Sequence, residues 1–287
     1  MSDIPVFFLH GLAYAGLLFL VSAGLTLVFG MMNVLNFAHA AMYMVGAYLS
    51  YTIIMQLTGQ FWMALILCPM ILFVIGALIE RFLLRRVHKF GHLQELLLTF
   101  GLAYIITELV KLFWGNYPLA VNITGFLSET IPIFGITYPV YRIFIFVCAI
   151  FVGIVMALVL YKTRLGIILR ASVNDSEMTN TLGVNVPLVF MGVFAFGAGL
   201  SGFAGVIAGP LLSTFPGMAH EILIDAFVVI VVGGFGSLGG AVVAALLIGQ
   251  LQSFGVLLIP KLSVALIFLL MAVVLIVKPS GLFGEEQ

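Results

Sequence analysis

"AFVVIVVGGFGSLGGAVVAALLIG", Ala226 to Gly249, is the stretch whose reading decides the fold. Gly234, Gly236 and Gly239 fit Gly-x-Gly-x-x-Gly, with the strand-like "VVIVV" before them and a helix-like apolar run after. A dinucleotide-binding turn of that form needs an acidic residue about 20 positions on, to hold the ribose hydroxyls. No Asp or Glu follows Gly234 until Glu285. A phosphate-binding P-loop is excluded as well, since no Lys-Ser or Lys-Thr closes the turn. The remaining reading is a membrane helix broken by glycine. Glycine admits backbone conformations closed to other residues and lets two backbones approach closely, as at Gly236-x-x-x-Gly240 and Gly205-x-x-x-Gly209. Non-helical backbone at membrane depth is tolerated where protein or a water-filled cavity covers it. The break is therefore expected at a pathway or at a helix–helix seam.

The composition agrees. Of 287 residues, 63% are hydrophobic and only 8% are charged, against roughly 25% charged in a soluble domain. Mean hydropathy is +1.29. Apolar runs near the length needed to cross a ~30 Å hydrocarbon core recur along the chain. The expected fold is an all-α polytopic membrane bundle forming one transmembrane domain over 1–287. Spans are predicted near 6–30, 37–57, 61–83, 93–114, 139–161, 187–208, 222–240, 241–258 and 262–277, eight or nine in all, with broken or re-entrant helices. Formal net charge is zero, which gives no basis for nucleic-acid binding. Cys68 and Cys148 lie inside apolar runs without metal-ligand spacing, so neither a disulfide nor a metal site is expected. "MSDIP" lacks the basic start of a cleavable signal, so the first span is expected to remain.

Lys and Arg set the orientation. Arg81, Arg85, Arg86 and Lys89 form one basic loop; Lys162, Arg164 and Arg170 form another. Two spans separate them, so both face the cytoplasm. Segment 115–138 has no Lys or Arg and belongs outside, with a sequon at Asn122. Parity then puts the N-terminus outside, and Lys278 puts the C-terminus inside if 222–258 crosses twice.

Both ends of the chain carry an interrupted span: "GMMNVLNFAHAAMYMVGAY" near the start and "GGFGSLGGAVVAALL" near the end. Paired interruptions point to an internal repeat and to a substrate path near the midplane, or else to two hairpins at the membrane surface. Asn33, Asn36 and His39 cluster in the first break, and polar groups inside spans deserve a role. They either tie down freed backbone or hydrogen-bond a solute. Glu108 and Lys111, at i, i+3, are expected to pair. Glu221 and Asp225 open the span before the glycine turn, where acids favour the helix dipole; a solute or proton site is the alternative. No hydrolytic constellation is present, which speaks against an intramembrane enzyme.

The most informative stretch outside the spans is "LGIILRASVNDSEMTNTLGVNVP", Leu165 to Pro187. Asn174-x-x-Glu177 reads as a capping box and Gly183 as a left-handed helix end. They frame a helix of about two turns, ~12 Å long, with Met178 and Leu182 on one side and Asp175 and Thr179 exposed. Such a helix is either a docking element for a partner's groove or an amphipathic connector.

Four stretches together resemble the permease subunits of branched-chain amino-acid ABC importers, of the LivH type, in the same superfamily as ribose-type permeases. They are "NVLNFAHAAMYMVGAY", "RLGIILRASVNDSEMTNTLGVNV", "VVGGFGSLGGAVVAALLIG" and "VKPSGLFG". In the first, Asn36, Phe37, Ala38 and His39 match the family pattern, while Ala40 and Ala41 replace a glycine and an acid. The resemblance implies a substrate pathway at Asn33, Asn36, His39, Gly233, Gly234, Gly236, Gly239 and Gly240. It also implies an ATPase-coupling segment at Arg170, Asp175, Glu177 and Gly183, to which the helix face adds Met178 and Leu182. The implied partners are two cytoplasmic ABC ATPases, a second permease (LivM-like, or a second copy), an extracytoplasmic solute-binding protein and the bilayer. No cofactor is implied, and the membrane is the cytoplasmic one of a bacterium or archaeon. The competing expectation is an ion-coupled secondary transporter of a small polar solute, which needs an acid site within the spans.

Overall fold

The computed structural model describes residues 4–33, 35–133 and 136–284. The chain is a helical membrane bundle. Eight helices among the described residues are long and apolar enough to cross a bilayer. Long apolar runs leave helix as the only structure that pairs every backbone group internally in hydrocarbon.

Helix α1 (Ile4–Met32) is the most buried of the spans. It packs against α9 (Val186–Leu212) and α11 (Leu238–Leu258), and α9 also packs on α2 (Ala38–Tyr51) and α3 (Phe61–Ile79). α2 continues through a π-helical stretch, Thr52–Thr58; α3 continues through another, Glu80–Leu84, into the single turn α4 (Arg85–Val87). Helices α5 (His92–Trp114), α6 (Val140–Lys162) and α12 (Ser263–Val277) are peripheral and expose long apolar faces. A two-stranded hairpin, β1 (Thr130–Ile133) and β2 (Ile136–Pro139), pairs antiparallel before α6. Two short helices, α7 (Arg164–Asn174) and α8 (Ser176–Thr181), link α6 to α9.

Close contacts at small residues hold the core. A Cβ on Gly46 of α2 would lie 2.5 Å from the Gly202 carbonyl of α9. This is backbone-on-backbone packing, the usual way apolar helices associate where lipid removes the hydrophobic drive.

α10 (Met218–Gly233) and α11 flank a four-residue turn, Gly234–Ser237. The two segments at 222–258 thus run antiparallel, and the boundary falls at Gly234–Ser237 rather than at 240/241. The turn, the end of α1 and the C-terminal segment meet at one end of the bundle. A Cβ on Gly236 would sit 2.9 Å from the Gly30 Cα, and Leu282 and Phe283 donate N–H bonds to the Val232 and Gly233 carbonyls (2.8 and 3.0 Å). Arg85, which donates to the Pro187 carbonyl at 2.7 Å, and α8 share that basic end. Ser253 near the far end of α11 bonds the Phe7 carbonyl at 2.6 Å. The start of α1 therefore lies at the opposite end from the segment at Leu282 and Phe283, as charge parity predicts.

One expectation is corrected. The structural counterpart of the first break is not the glycine turn but Ser213–Gly217. α1 (29 residues) ends in left-handed Asn33 (φ 53), and α9 (27 residues) ends in left-handed Ser213 (φ 63). These are the only non-glycine residues with positive φ among the described residues. Each N–H reaches back to a carbonyl four residues earlier, Asn33 to Phe29 (2.8 Å) and Ser213 to Gly209 (3.1 Å). Each is followed by a short break and a new helix, α2 or α10, and the two units run in opposite directions. The sequence hides this because "STFPG" shares no residue with "NVLNF" at equivalent places.

Candidate functional site

The first break re-enters the bundle. His39 Nε2 donates to the Val21 carbonyl (3.0 Å), and Gly24 leaves the room its ring occupies. Val21 lies roughly 11 residues, or ~16 Å of helix, before the end of α1. The chain thus climbs from the basic end at Asn33 to mid-depth at His39, in the first turn of α2. The backbone freed by the climb finds partners in side chains. Thr99 of α5 accepts the Phe37 N–H (3.3 Å) and lies 3.2 Å from the Leu35 carbonyl; Ser201 of α9 donates to the His39 carbonyl (2.6 Å). Hydroxyls that satisfy a broken helix are what makes such a break tolerable in lipid.

Two polar atoms remain. Asn36 is 2% exposed and its Oδ1 has no partner among the described residues; His39 is 1% exposed and its Nδ1 has none among them either. Buried acceptors without partners are costly and uncommon. Asn36 lines a cleft of about 370 Å³ with Leu25 of α1, His220 and Phe227 of α10, and Phe268 of α12. Its walls are apolar, the usual character of a small-molecule site with a few placed polar groups. Asn33 is not part of it: Asn33 is exposed and terminates α1, the left-handed role that Asn tolerates.

The glycines fall at a seam. A Cβ on Gly240 would lie 2.0 Å from the Gly233 carbonyl, and one on Gly234 would lie 2.4 Å from the Gly284 nitrogen. Gly239 faces open space. The break holds helix ends and the C-terminal segment together, and none of these glycines lines the cleft.

The segment 164–186 is built as two capped helices. Thr163 caps α7 by accepting the Gly166 N–H (3.3 Å). Gly166 lets α7 press against the end of α6, where the Arg170 guanidinium donates to the Leu160 carbonyl. A cation on the last carbonyls of a helix also favours its dipole. The cap of α8 is Asp175, whose Oδ1 accepts the Met178 N–H at 2.8 Å. Asn174 instead ends α7, which corrects the capping-box assignment: Asp competes equally well for that position. α8 ends at Gly183 (φ 90), with Gly183 donating to Asn180 (3.0 Å) and Val184 to Thr179 (3.3 Å), the paired bonds of a Schellman end. Met178 and Leu182 are 55% and 73% exposed. Asp175 and Glu177 are exposed too, whereas Thr179, expected at the surface, is buried against the bundle.

The Glu108–Lys111 pair forms at 2.6 Å. Glu221 sits in the first turn of α10, where the dipole acts. Asp225 lies beyond that turn and takes the Tyr14 hydroxyl at 2.7 Å, a bond between α10 and α1. The dipole account therefore covers Glu221 and not Asp225, because the effect fades within one turn. Thr99, Ser201 and Tyr14 escaped the sequence reading; a lone hydroxyl in an apolar span was the available signal.

Residues 7–275 match a family described as the branched-chain amino acid transport system permease component. The chain belongs to that family. This permease is 28% identical to the high-affinity branched-chain amino acid transport system permease protein BraD of Pseudomonas aeruginosa, over 97% of the chain and 95% of the relative. It is 27% identical to the corresponding LivH of Escherichia coli K12, over all of the chain and 99% of the relative. It is 29% identical to a probable LivH of Methanocaldococcus jannaschii, over 84% of the chain and 77% of the relative. No solved structure matches. The chain is thus a multi-pass membrane transport subunit rather than an enzyme.

Proposed function

We propose that this permease is the membrane subunit of an ABC importer for branched-chain and other hydrophobic amino acids, acting as one transmembrane domain over 1–287. The reading is carried by the doubly capped α7–α8 segment, which holds Met178 and Leu182 out from the bundle of a family-assigned permease. A rigid, short, apolar-tipped helix suits a groove in a partner. Two cytoplasmic ATPases would engage it at Met178 and Leu182, with Asp175, Glu177 in the first turn and Gly183 fixing its ends and Arg170 fixing its base. A second permease, LivM-like or a copy of this chain, completes the membrane part. An extracytoplasmic binding protein delivers solute, and the membrane is the cytoplasmic one of a bacterium or archaeon.

Mechanism follows from these parts. ATP binding in the partners moves α8, which is stiffly joined to the ends of α6 and α9 and so tilts them. The cleft beside Asn36 supplies apolar walls for an aliphatic side chain. Weak sites suffice, because the binding protein provides affinity and the solute must leave. His39 and the hydroxyls of Thr99 and Ser201 keep the broken backbone paired while the helices tilt.

The test is co-purification with the ATPases, followed by uptake of labelled leucine into vesicles. The expected result is ATP- and binding-protein-dependent uptake, with Arg170→Ala/Asp175→Ala/Glu177→Ala releasing the ATPases. Uptake by the chain alone on an ion gradient would replace this reading with a secondary transporter, and attention would pass to Glu108, Glu221 and Asp225.

A further inference from the structure

At the basic end a second cavity, of about 350 Å³, opens between α1, the α3–α4 junction, the rear of α8 and the start of α9. It carries both signs of charge and an apolar wall. Glu80 is buried and paired with Arg85 at 3.1 Å. Arg85 is held in place by Nε and Nη2, which reach the Glu80 carboxylate and the Pro187 carbonyl. Its Nη1 has no partner among the described residues. Across the cavity stand Glu177 and Asn180 of α8, whose side chains are exposed and make no bond among the described residues. Met32 and Phe190 supply the apolar wall.

We propose that this cavity binds a free α-amino acid zwitterion with an aliphatic side chain on the cytoplasmic side. The carboxylate would accept from Arg85 Nη1, the one nitrogen of a fixed guanidinium that Glu80 and Pro187 leave free. The ammonium would lie at Glu177 and Asn180, and the side chain against Met32 and Phe190. The site is distinct from the membrane cleft and from the docking tip. Glu177 and Asn180 face the cavity, while Met178 and Leu182 project elsewhere, so an ATPase on the tip leaves the cavity open. The inference rests on the importer reading in one respect: the importer releases that solute at this end. A bound product ties α8 to α4 and restrains the element that must move, which makes the site a product brake.

The experiment is calorimetric titration of the purified full chain with L-leucine, its decarboxylated analogue 3-methylbutylamine and its deaminated analogue 4-methylpentanoate. Leucine should bind and both analogues should bind about tenfold or more weakly, since each leaves one charged partner unmet. Arg85→Gln strands the buried Glu80, so the double variant Glu80→Gln/Arg85→Gln, which keeps an amide pair, is used with Asn180→Leu. Both should weaken leucine binding. Leucine binding that survives both variants places the ligand elsewhere and overturns the site. Binding lost when the ATPases are added means that an ATPase side chain fills the cavity, and overturns it too. In vesicles, preloaded leucine should slow initial uptake relative to empty vesicles, and the double variant should lose that ratio. Uptake without calorimetric binding sinks the site and leaves the importer standing; with neither, both fall.

Discussion

At the residue scale, two neighbouring glycines make opposite predictions. Gly240 touches the Gly233 carbonyl backbone to backbone, while Gly239 faces open space in the same helix turn. Gly239→Ala should be neutral or stabilising by up to about 1 kcal/mol, the helix-propensity gain. Gly240→Ala must instead push α10 and α11 apart, so thermal unfolding in detergent should start several degrees lower. Equal behaviour would remove the seam from the account. Thr99 makes a similar case. Thr99→Val leaves the Phe37 N–H without its side-chain acceptor at membrane depth, a cost of about 1–3 kcal/mol for a stranded group. Thr99→Ser keeps the hydroxyl and should retain most of the midpoint. The Glu108–Lys111 pair is exposed, and its loss should cost about 1 kcal/mol at most.

At the element scale, the part that owes its rigidity to its caps is α8, a six-residue helix held by its ends. Asp175→Ala removes the cap, worth about 1 kcal/mol, and for so short a helix that is much of its local stability. Asp175→Asn keeps an acceptor and should rescue. The readout is retention of the ATPases on a pull-down, which should fall with alanine and recover with asparagine. Rescue failing would show that the charge contacts the partner directly. How legible such elements were in sequence depended on their chemistry. Spans were plain, since twenty apolar residues have one solution in lipid, and the C-terminal end of α8 was plain because Gly183 admits a conformation other residues resist. The cap was misassigned by one residue because Asn174 and Asp175 are equivalent on propensity and only backbone direction separates them. The break at Ser213–Gly217 was invisible, because its left-handed residue is a serine, a poor occupant tolerated only under tertiary constraint. Tyr14 and Asp225 are 211 positions apart, and no local pattern joins them.

At the scale of the whole molecule, the two breaks set the stage for opening at either end. The first climbs from the basic end to mid-depth, and its counterpart follows α9 in the opposite direction. The outer counterpart is tied down: Leu119 and Thr214 exchange two backbone hydrogen bonds of 2.8 Å, joining the long outer segment to the break. Alternating access requires the outer end to part when solute enters. A mutually bonded antiparallel pair stands about 5.5 Å apart at Cα, within disulfide range. Cys68 and Cys148 are the chain's own cysteines and must first be replaced. In that background, Leu119→Cys/Thr214→Cys under oxidation should cut solute uptake by about tenfold or more while leaving the ATPases bound, and a thiol reductant should restore it. Each single cysteine should transport normally under both conditions. Full uptake by the oxidised double variant, with the bond verified by mass spectrometry, would mean that the outer break stays closed throughout the cycle. The opening would then belong to the cleft face formed by α10 and α12, against whatever subunit covers it.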